Sequence, residues 1–538
     1  MSERFGMKSY MKGAAILTVA ALLVKVLSAV YRVPFQNMVG DKGFYIYQQV
    51  YPFIAIFVVW TASGFAVAIS KLLADIDADN NKQDSSFKRH HMIRTTFYYL
   101  TVLSLLFFIA LFGGSTFLAN IMGDASLAPI LRTGSFIVLV MPALAVIKGS
   151  LQSRGMLEPI AYSQVIEQFI RVCVILIGTW LIMSTTKSIY GAGHMAIFGT
   201  VLAEYLAFIL LFVYYKRRMQ TTYSVNTPKL AKWPVIKEVT LLSLSVSMSG
   251  LLLLFYQLID SFTIFSILLE SGVSTEMAKE TKGIYDRGQP LVQLGIVIAS
   301  SLSLAIVPLV AHMSRKQSGR DAIPFIRLTY RTSLLFGVAA SLGLILVMPF
   351  VNQMLFETDK LSNVLMLYVA QIIPLSIVLT FTAILQGYGR LKVPALLLGI
   401  GFVGKIIGNV MLVGPLGVFG AAVASNIGLF FTAISLVLYL KKVVNVNLAT
   451  TSFYKKLILA SLSMIAAVLM WIQLLQQIIG EVTSRVESLI VGGSAVVIGA
   501  FVILTFIAKS RMLLEKEWFL LPFGRRMAVY QLWLNRKK

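Results

Sequence analysis

Seven basic residues sit inside stretches that are otherwise apolar: Lys25, Arg32, Arg132, Lys148, Arg171, Arg287 and Lys405. A cation at the centre of a hydrocarbon layer costs about 3 kcal/mol on insertion scales, so each of them needs a partner or a ligand. Lys25 and Arg32 share one run, residues 13–35. Snorkelling to an interface would serve Arg32, near the outer end. It serves Lys25 poorly, because that residue lies about 20 Å along a helix from Lys12. Acids in the same kind of stretch are fewer: Glu167, Glu204 and Asp260, with Asp286 at a helix edge. Glu167 and Arg171 are spaced i,i+4 and share a helix face, where they can neutralise one another.

A surplus of cations facing a common interior suits an anion. Arginine offers a planar fork of donors and lysine a compact charge, a combination that matches a diphosphate. The expected substrate-binding set is therefore Lys25, Arg32, Arg132, Arg171, Asp286, Arg287 and Lys405. Two other readings compete. The charges could form private salt bridges between packed helices. Alternatively, Asp260 and Glu204, with amides such as Asn409 and Asn426, could carry a proton or sodium ion.

Enzyme motifs are essentially missing. His90 and His91 are adjacent in a polar stretch, His194 and His312 are isolated, and no His/Glu spacing suits a metal. Gly399-Ile-Gly401-Phe-Val-Gly404 matches G-x-G-x-x-G but lies in an apolar run with no strand before it, so it is no dinucleotide site. The single cysteine, Cys173, excludes an internal disulfide. No cofactor is expected, and transport would be driven by Na+, H+ or the membrane potential.

The elements that position these residues are membrane helices. A hydrophobic fraction of 57% with 13% charged residues, and a mean hydropathy of +0.81, lies outside the range of a soluble chain of 538 residues. Runs of about 20 apolar residues predict fourteen spans: 13–35, 44–70, 95–119, 127–150, 158–183, 189–215, 238–269, 284–312, 326–352, 361–387, 393–413, 415–440, 456–476 and 488–508. The N-terminal run is too long for a signal peptide and has no small-residue cleavage pattern, so it is expected to stay as a helix. An even count puts both termini on one side. With the N-terminus cytoplasmic, 34 of the 47 Lys and Arg fall on the inside and 6 on the outside. That bias follows the positive-inside rule and explains most of the net charge of +24 without nucleic acid.

The chain also carries an internal repeat. Leu151, Gln152 and Gly155 in LQSRGMLEP match Leu385, Gln386 and Gly389 in LQGYGRLKVP at one offset, and at that offset Arg171 falls on Lys405. Repeats separated by six spans keep one orientation, as in transporters built from two parallel bundles. The expected fold is therefore all-α and polytopic. Its divisions are a six-helix lobe at 1–218, a second at 219–442, two additional helices at 443–508 and a basic amphipathic tail at 509–538 lying on the inner leaflet.

VKVLSAVYRVPF (24–35) before a short Gly40-Asp41 loop, IYDRGQPLVQLG (284–295) and the two LQ…G…P hairpins carry a resemblance. Together they resemble the multidrug/oligosaccharidyl-lipid/polysaccharide exporter superfamily. Within it, the chain is most similar to the polysaccharide-exporter branch that includes stage V sporulation protein B and the Gram-positive lipid II flippases. The resemblance implies a two-lobed alternating-access transporter with a cationic central cavity, and a groove on the last two helices for a polyprenyl tail. It puts Lys25 and Arg32 in the place of the first-helix basic pair, and Asp286-Arg287 in that of the acid-base dipeptide opening the eighth span. The second span lacks a basic residue that lipid II flippases can carry there, and Lys stands at 25 in place of Arg.

The function expected from residues and resemblance together is non-enzymatic flipping of an anionic, polyprenyl-diphosphate-linked sugar precursor across the cytoplasmic membrane, by a monomer. One alternative is a cation-coupled multidrug exporter of the same superfamily, which would want an acidic cavity. A second is an integral-membrane glycosyltransferase or polymerase, which would need catalytic acids on a sizeable outer loop. The largest outer loop expected, 270–283, offers only Glu276 and Glu280.

Overall fold

The computed structural model describes residues 2–78, 82–218, 231–297, 323–390, 392–445, 447–519 and 524–536. These residues are helical almost throughout, with no strand among them, and twelve stretches are long and apolar enough to span a membrane. One of the twelve is a 62-residue run, Ile16–Asp77. At 1.5 Å per residue it would measure about 90 Å, three times the hydrocarbon thickness, so it must contain more than one span. The break is at Gly40, whose φ of 68° and ψ of −177° lie in a region open to glycine alone. That splits the run into the expected first and second spans. The second half of the expected span 284–312 and the basic stretches 219–230 and 313–322 lie outside the described residues.

Three local expectations are corrected. The segment 36–43, read as a loop, is helical on both sides of Gly40, within the Arg32–Val59 helix. The segment 270–283, read as an outer loop, is mostly the helix Thr275–Asp286, followed by a second short helix, Gly288–Gly295. The hairpin break between spans eleven and twelve falls at Gly417, with φ 60°, and Pro415 is accommodated inside the Lys392–Leu416 helix.

The repeat is visible in the backbone. The helix Ala128–Ser135 followed by Ile137–Ser153 corresponds, at the offset found in the sequence, to Ser362–Val369 followed by Ile372–Gly387. Both second helices end in the same cap. Gly155 N–H donates to the Gln152 carbonyl and Met156 N–H to that of Leu151; Gly389 N–H donates to Gln386 and Arg390 N–H to Leu385. Gly155 and Gly389 have φ of 72° and 70°, the left-handed conformation this cap requires.

The described residues form two compact units. One comprises residues 1–286 with 405–421, the other 287–404 with 422–538. This partition differs from the two lobes drawn on the sequence, which divide the chain at 218 and 442. In the second unit a continuous apolar core joins the helices Ile323–Phe356, Thr451–Ile479 and Arg485–Lys509. The C-terminal tail enters that core. Trp518 is 2% exposed and donates from Nε1 to Gln531 Oε1 at 2.5 Å, while Gln531 Nε2 donates to the Leu513 carbonyl. The helix Gly524–Leu534 buries Ala528 and Gln531 and exposes Val529, Leu532 and Trp533. Arg525 and Arg526 are exposed on the same side as these apolar side chains.

Candidate functional site

The first unit gathers buried charge at three places. In the first, the Arg32–Val59 helix restarts after a turn at Tyr31, and Arg32 is only 1% exposed. Its guanidinium lies 4.7 Å over the ring of Tyr51. Beside it the hydroxyls of Tyr31 and Tyr47 are 2.5 Å apart, and Phe35 meets the Tyr47 ring edge-on. The three tyrosines form an aromatic seat in which cation–π attraction partly replaces lost hydration. Lys25, two turns earlier, is exposed, next to exposed Leu23 and Val26.

The second group surrounds Arg171. The helices Glu158–Thr185 and Ile189–Arg218 pack together and bring Glu167 and Glu204 to it. Arg171 pairs with Glu167 one turn away, as the spacing predicts, and its Nη2 lies 3.5 Å from Glu204 Oε1. Lys148, on the Ile137–Ser153 helix that packs against Ile189–Arg218, is buried as well.

The third group centres on Asp260 in the Lys232–Glu270 helix. Lys405, fully buried, places its ammonium 2.6 Å from Asp260 Oδ1. Asn409 Nδ2 donates to the same oxygen at 3.0 Å and to Thr263 Oγ1 at 2.8 Å. The Tyr285 hydroxyl donates to Asp260 Oδ2 at 3.1 Å, and the Tyr256 ring centre lies 5.7 Å from the ammonium. Next along the chain from Tyr285, Asp286 accepts two hydrogen bonds from Lys282 Nζ, at 2.5 and 2.7 Å.

Lys282 was missed as a site residue because the sequence reading put it in a loop. Its i,i+4 spacing to Asp286, and the shared face with Lys279, were the available signals. Lys279 donates to the Tyr190 hydroxyl at 2.8 Å and lies 3.8 Å from Asp124, which accepts from Tyr190. At the exposed end of the same helix Lys42 bonds Glu276 at 2.5 Å and holds that carboxyl below the usual carboxylate range.

In the second unit Arg287, 1% exposed, donates to Asn352 Oδ1 at 2.7 Å and lies 4.7 Å over the Phe356 ring. Asn352 is fixed by donating to the Lys360 carbonyl and to Ser362 Oγ. Of the remaining expected residue, Arg132, the side chain is exposed and donates to the Ser115 and Thr116 hydroxyls. The structure thus unites Asp260, Lys405 and Asn409 in one cluster and Arg171 with Glu204 in another. Lys25 and Arg132 join neither.

Many membrane-length helices, an internal repeat and buried cations within the apolar stretches define a polytopic helical membrane protein. The fold is that of a lipid II flippase MurJ in an inward closed conformation, with a TM-score of 0.68 at 16% identity over 92% of this chain and 98% of that one. It is also that of an inward-facing multidrug resistance MATE family transporter of the MOP superfamily, with a TM-score of 0.56 at 13% identity over 80% and 98%. Residues 10–314 match the polysaccharide biosynthesis protein family, and the chain belongs to that family. It is 34% identical to the uncharacterized membrane protein YabM of Bacillus subtilis (strain 168), over 98% of both chains. To the lipid II flippase MurJ of the same organism it is 24% identical, over 78% of this chain and 80% of the relative. The expected kinship with stage V sporulation protein B and the lipid II flippases, and the all-α polytopic fold, are borne out.

Proposed function

We propose that the protein flips an anionic, polyprenyl-diphosphate-linked sugar precursor of the cell envelope across the cytoplasmic membrane by alternating access. It would do so without chemistry on the substrate, as a monomer with both termini in the cytoplasm. The observation that carries this reading is Arg32, a guanidinium buried in a membrane-spanning stretch and seated on the ring of Tyr51. The rings shield the guanidinium from water, and its planar fork of donors suits a phosphate. Arg287, held over Phe356 and bonded to the neutral Asn352, is built on the same plan in the second unit. In the first unit the buried bases Arg32, Lys148, Arg171, Lys279, Lys282 and Lys405 outnumber the buried acids Asp124, Glu167, Glu204, Asp260 and Asp286, a balance that favours an anionic ligand.

The test is mass spectrometry of lipids that co-purify with the protein. Polyprenyl-diphosphate sugars are expected with the wild type, and much less of them with Arg32→Ala. Purification with bulk phospholipid alone, in the same proportions for both, would overturn the proposal.

A second reading, export of amphipathic compounds, is favoured by one feature. The first unit has a cavity of about 530 Å³ with an apolar lining that includes Phe53, Phe57, Trp60, Phe107 and Phe262. Such a size and lining suit a drug-sized apolar body. Drug susceptibility of a deletion strain separates the two readings, since the flippase reading expects no change in resistance.

A further inference from the structure

We propose that the exposed face of the Gly524–Leu534 helix, with Arg536 just beyond it, is a binding surface for the headgroups of anionic phospholipids. The helix is tethered to the end of the last membrane-length helix, Arg485–Lys509. The Tyr530 hydroxyl lies 3.0 Å from Thr505 Oγ1, and Asn535 Nδ2 donates to the Ala508 carbonyl at 3.2 Å. Lys456 Nζ donates to the Ser510 carbonyl at 2.7 Å and fixes the turn that leaves this helix. Thr505 and Ala508 belong to its last turn and a half, so the tail lies beside the end of a membrane-length helix, at the depth of a headgroup layer.

The chemistry of the face picks the partner. One side is taken up by docking, with Ala528 and Gln531 buried and Gln531 bonded to Trp518 and Leu513. At about 100° per residue, Arg525, Arg526, Val529, Leu532 and Trp533 fall within an arc of about 120° away from that side. All five are exposed, and so is Arg536. The helix carries no acid, and among the described residues none of the three arginines pairs with one. A wholly apolar face would sink among acyl chains. Arginine interleaved with tryptophan suits the layer above them, where guanidinium forks meet phosphates and indole rings are enriched. Trp533 stacks on Tyr530 with ring centres 6.1 Å apart, which adds a paired aromatic surface at that level. Lipid phosphate is the anion present at that depth, and an arginine beside an anionic leaflet favours it about fivefold. The docked side gives the binding a consequence. The same segment pairs Glu517 with Arg331 and packs Trp518 against the last two membrane-length helices, so headgroups held outside stabilise that packing.

The inference is independent of which precursor the protein moves. The full-length protein is placed in nanodiscs of phosphatidylcholine with or without phosphatidylglycerol, and bromine is carried on the acyl chains of one lipid or the other. Trp533 emission is isolated as the difference between wild type and Trp533→Phe. Brominated phosphatidylglycerol is expected to quench it more than brominated phosphatidylcholine at the same mole fraction, and added phosphatidylglycerol to raise the melting temperature. Combining Arg525→Gln, Arg526→Gln and Arg536→Gln should abolish the quenching preference and shrink the melting rise, while lysine at all three keeps both. Glutamine at the exposed Lys216, Arg217 and Arg218 should leave the quenching as in wild type. High salt should weaken the preference by screening. Trp533 quenched by neither lipid, as when the face meets water or a soluble protein, overturns the proposal. So does a preference, or a melting rise, of equal size in wild type and the triple glutamine variant. If that variant does not fold, wild type in low and high salt decides, and a preference unmoved by salt overturns the proposal.

Discussion

The Lys405 ammonium lies 2.6 Å from the Asp260 carboxylate, and both groups are buried in the first compact unit. A base that looked available to an anionic headgroup is thus engaged by an acid from a helix far away in the chain. Removing one member of such a pair leaves an unmatched charge, which costs about 3–5 kcal/mol, whereas replacing both with apolar groups of similar volume is often neutral. In sodium-free buffer Lys405→Met should therefore lower stability by about that amount, and Lys405→Met combined with Asp260→Leu should recover most of it. Thermal melts of the three proteins in choline chloride check this, and equal losses for the single and double variants would refute it.

Arg32 and Arg287 are held by aromatic rings and, for Arg287, an amide. Alanine at either position should abolish flipping of a lipid-linked precursor in reconstituted vesicles while leaving expression and membrane insertion unchanged. Arg32→Lys keeps the charge and loses the planar fork, so it should retain a minor fraction of the rate. Full activity of both alanine variants would end the assignment of these residues to the substrate.

The two repeat caps make a paired prediction. Gly155 and Gly389 both need positive φ, and a Cβ in the left-handed conformation costs roughly 1–2 kcal/mol. Gly155→Ala and Gly389→Ala should each lower the melting temperature by a similar amount, with asparagine at either position closer to wild type. A neutral alanine at one cap and a severe one at the other would show that the caps are not equivalent.

Trp518 anchors the tail, with its ring buried and its indole nitrogen bonded to Gln531. Trp518→Ala should cost about 3–5 kcal/mol of local packing and release the Gly524–Leu534 helix from the core. Limited proteolysis of membrane vesicles would then trim the C-terminus of the variant and spare that of the wild type.

Much of the fold could be read from local signals. Apolar runs located the membrane helices, since only a helix satisfies its backbone within lipid. The LQ…G pattern marked a repeat, and the backbone ends both of its helices in the same cap. Glu167 with Arg171 followed from i,i+4 spacing. The helix Thr275–Asp286 was misread because seven charged or polar positions mask a short buried face, and Lys279 and Lys282 were assigned to solvent with it.

By itself, then, the sequence determined an all-helical membrane chain with an internal repeat and more bases than acids in its spans. These properties depend on composition and on periods of a few residues. Which acid meets which base was decided only by tertiary structure. Glu204 reaches Arg171, and Asp260 reaches Lys405, through the rotation and packing of helices far apart in the chain. Helical period fixes the face a residue occupies on its own helix. The neighbour which that face meets is set by how separate helices fit against one another, and that is why Lys405 reads as a substrate residue in the sequence and as an internal counterion in the structure.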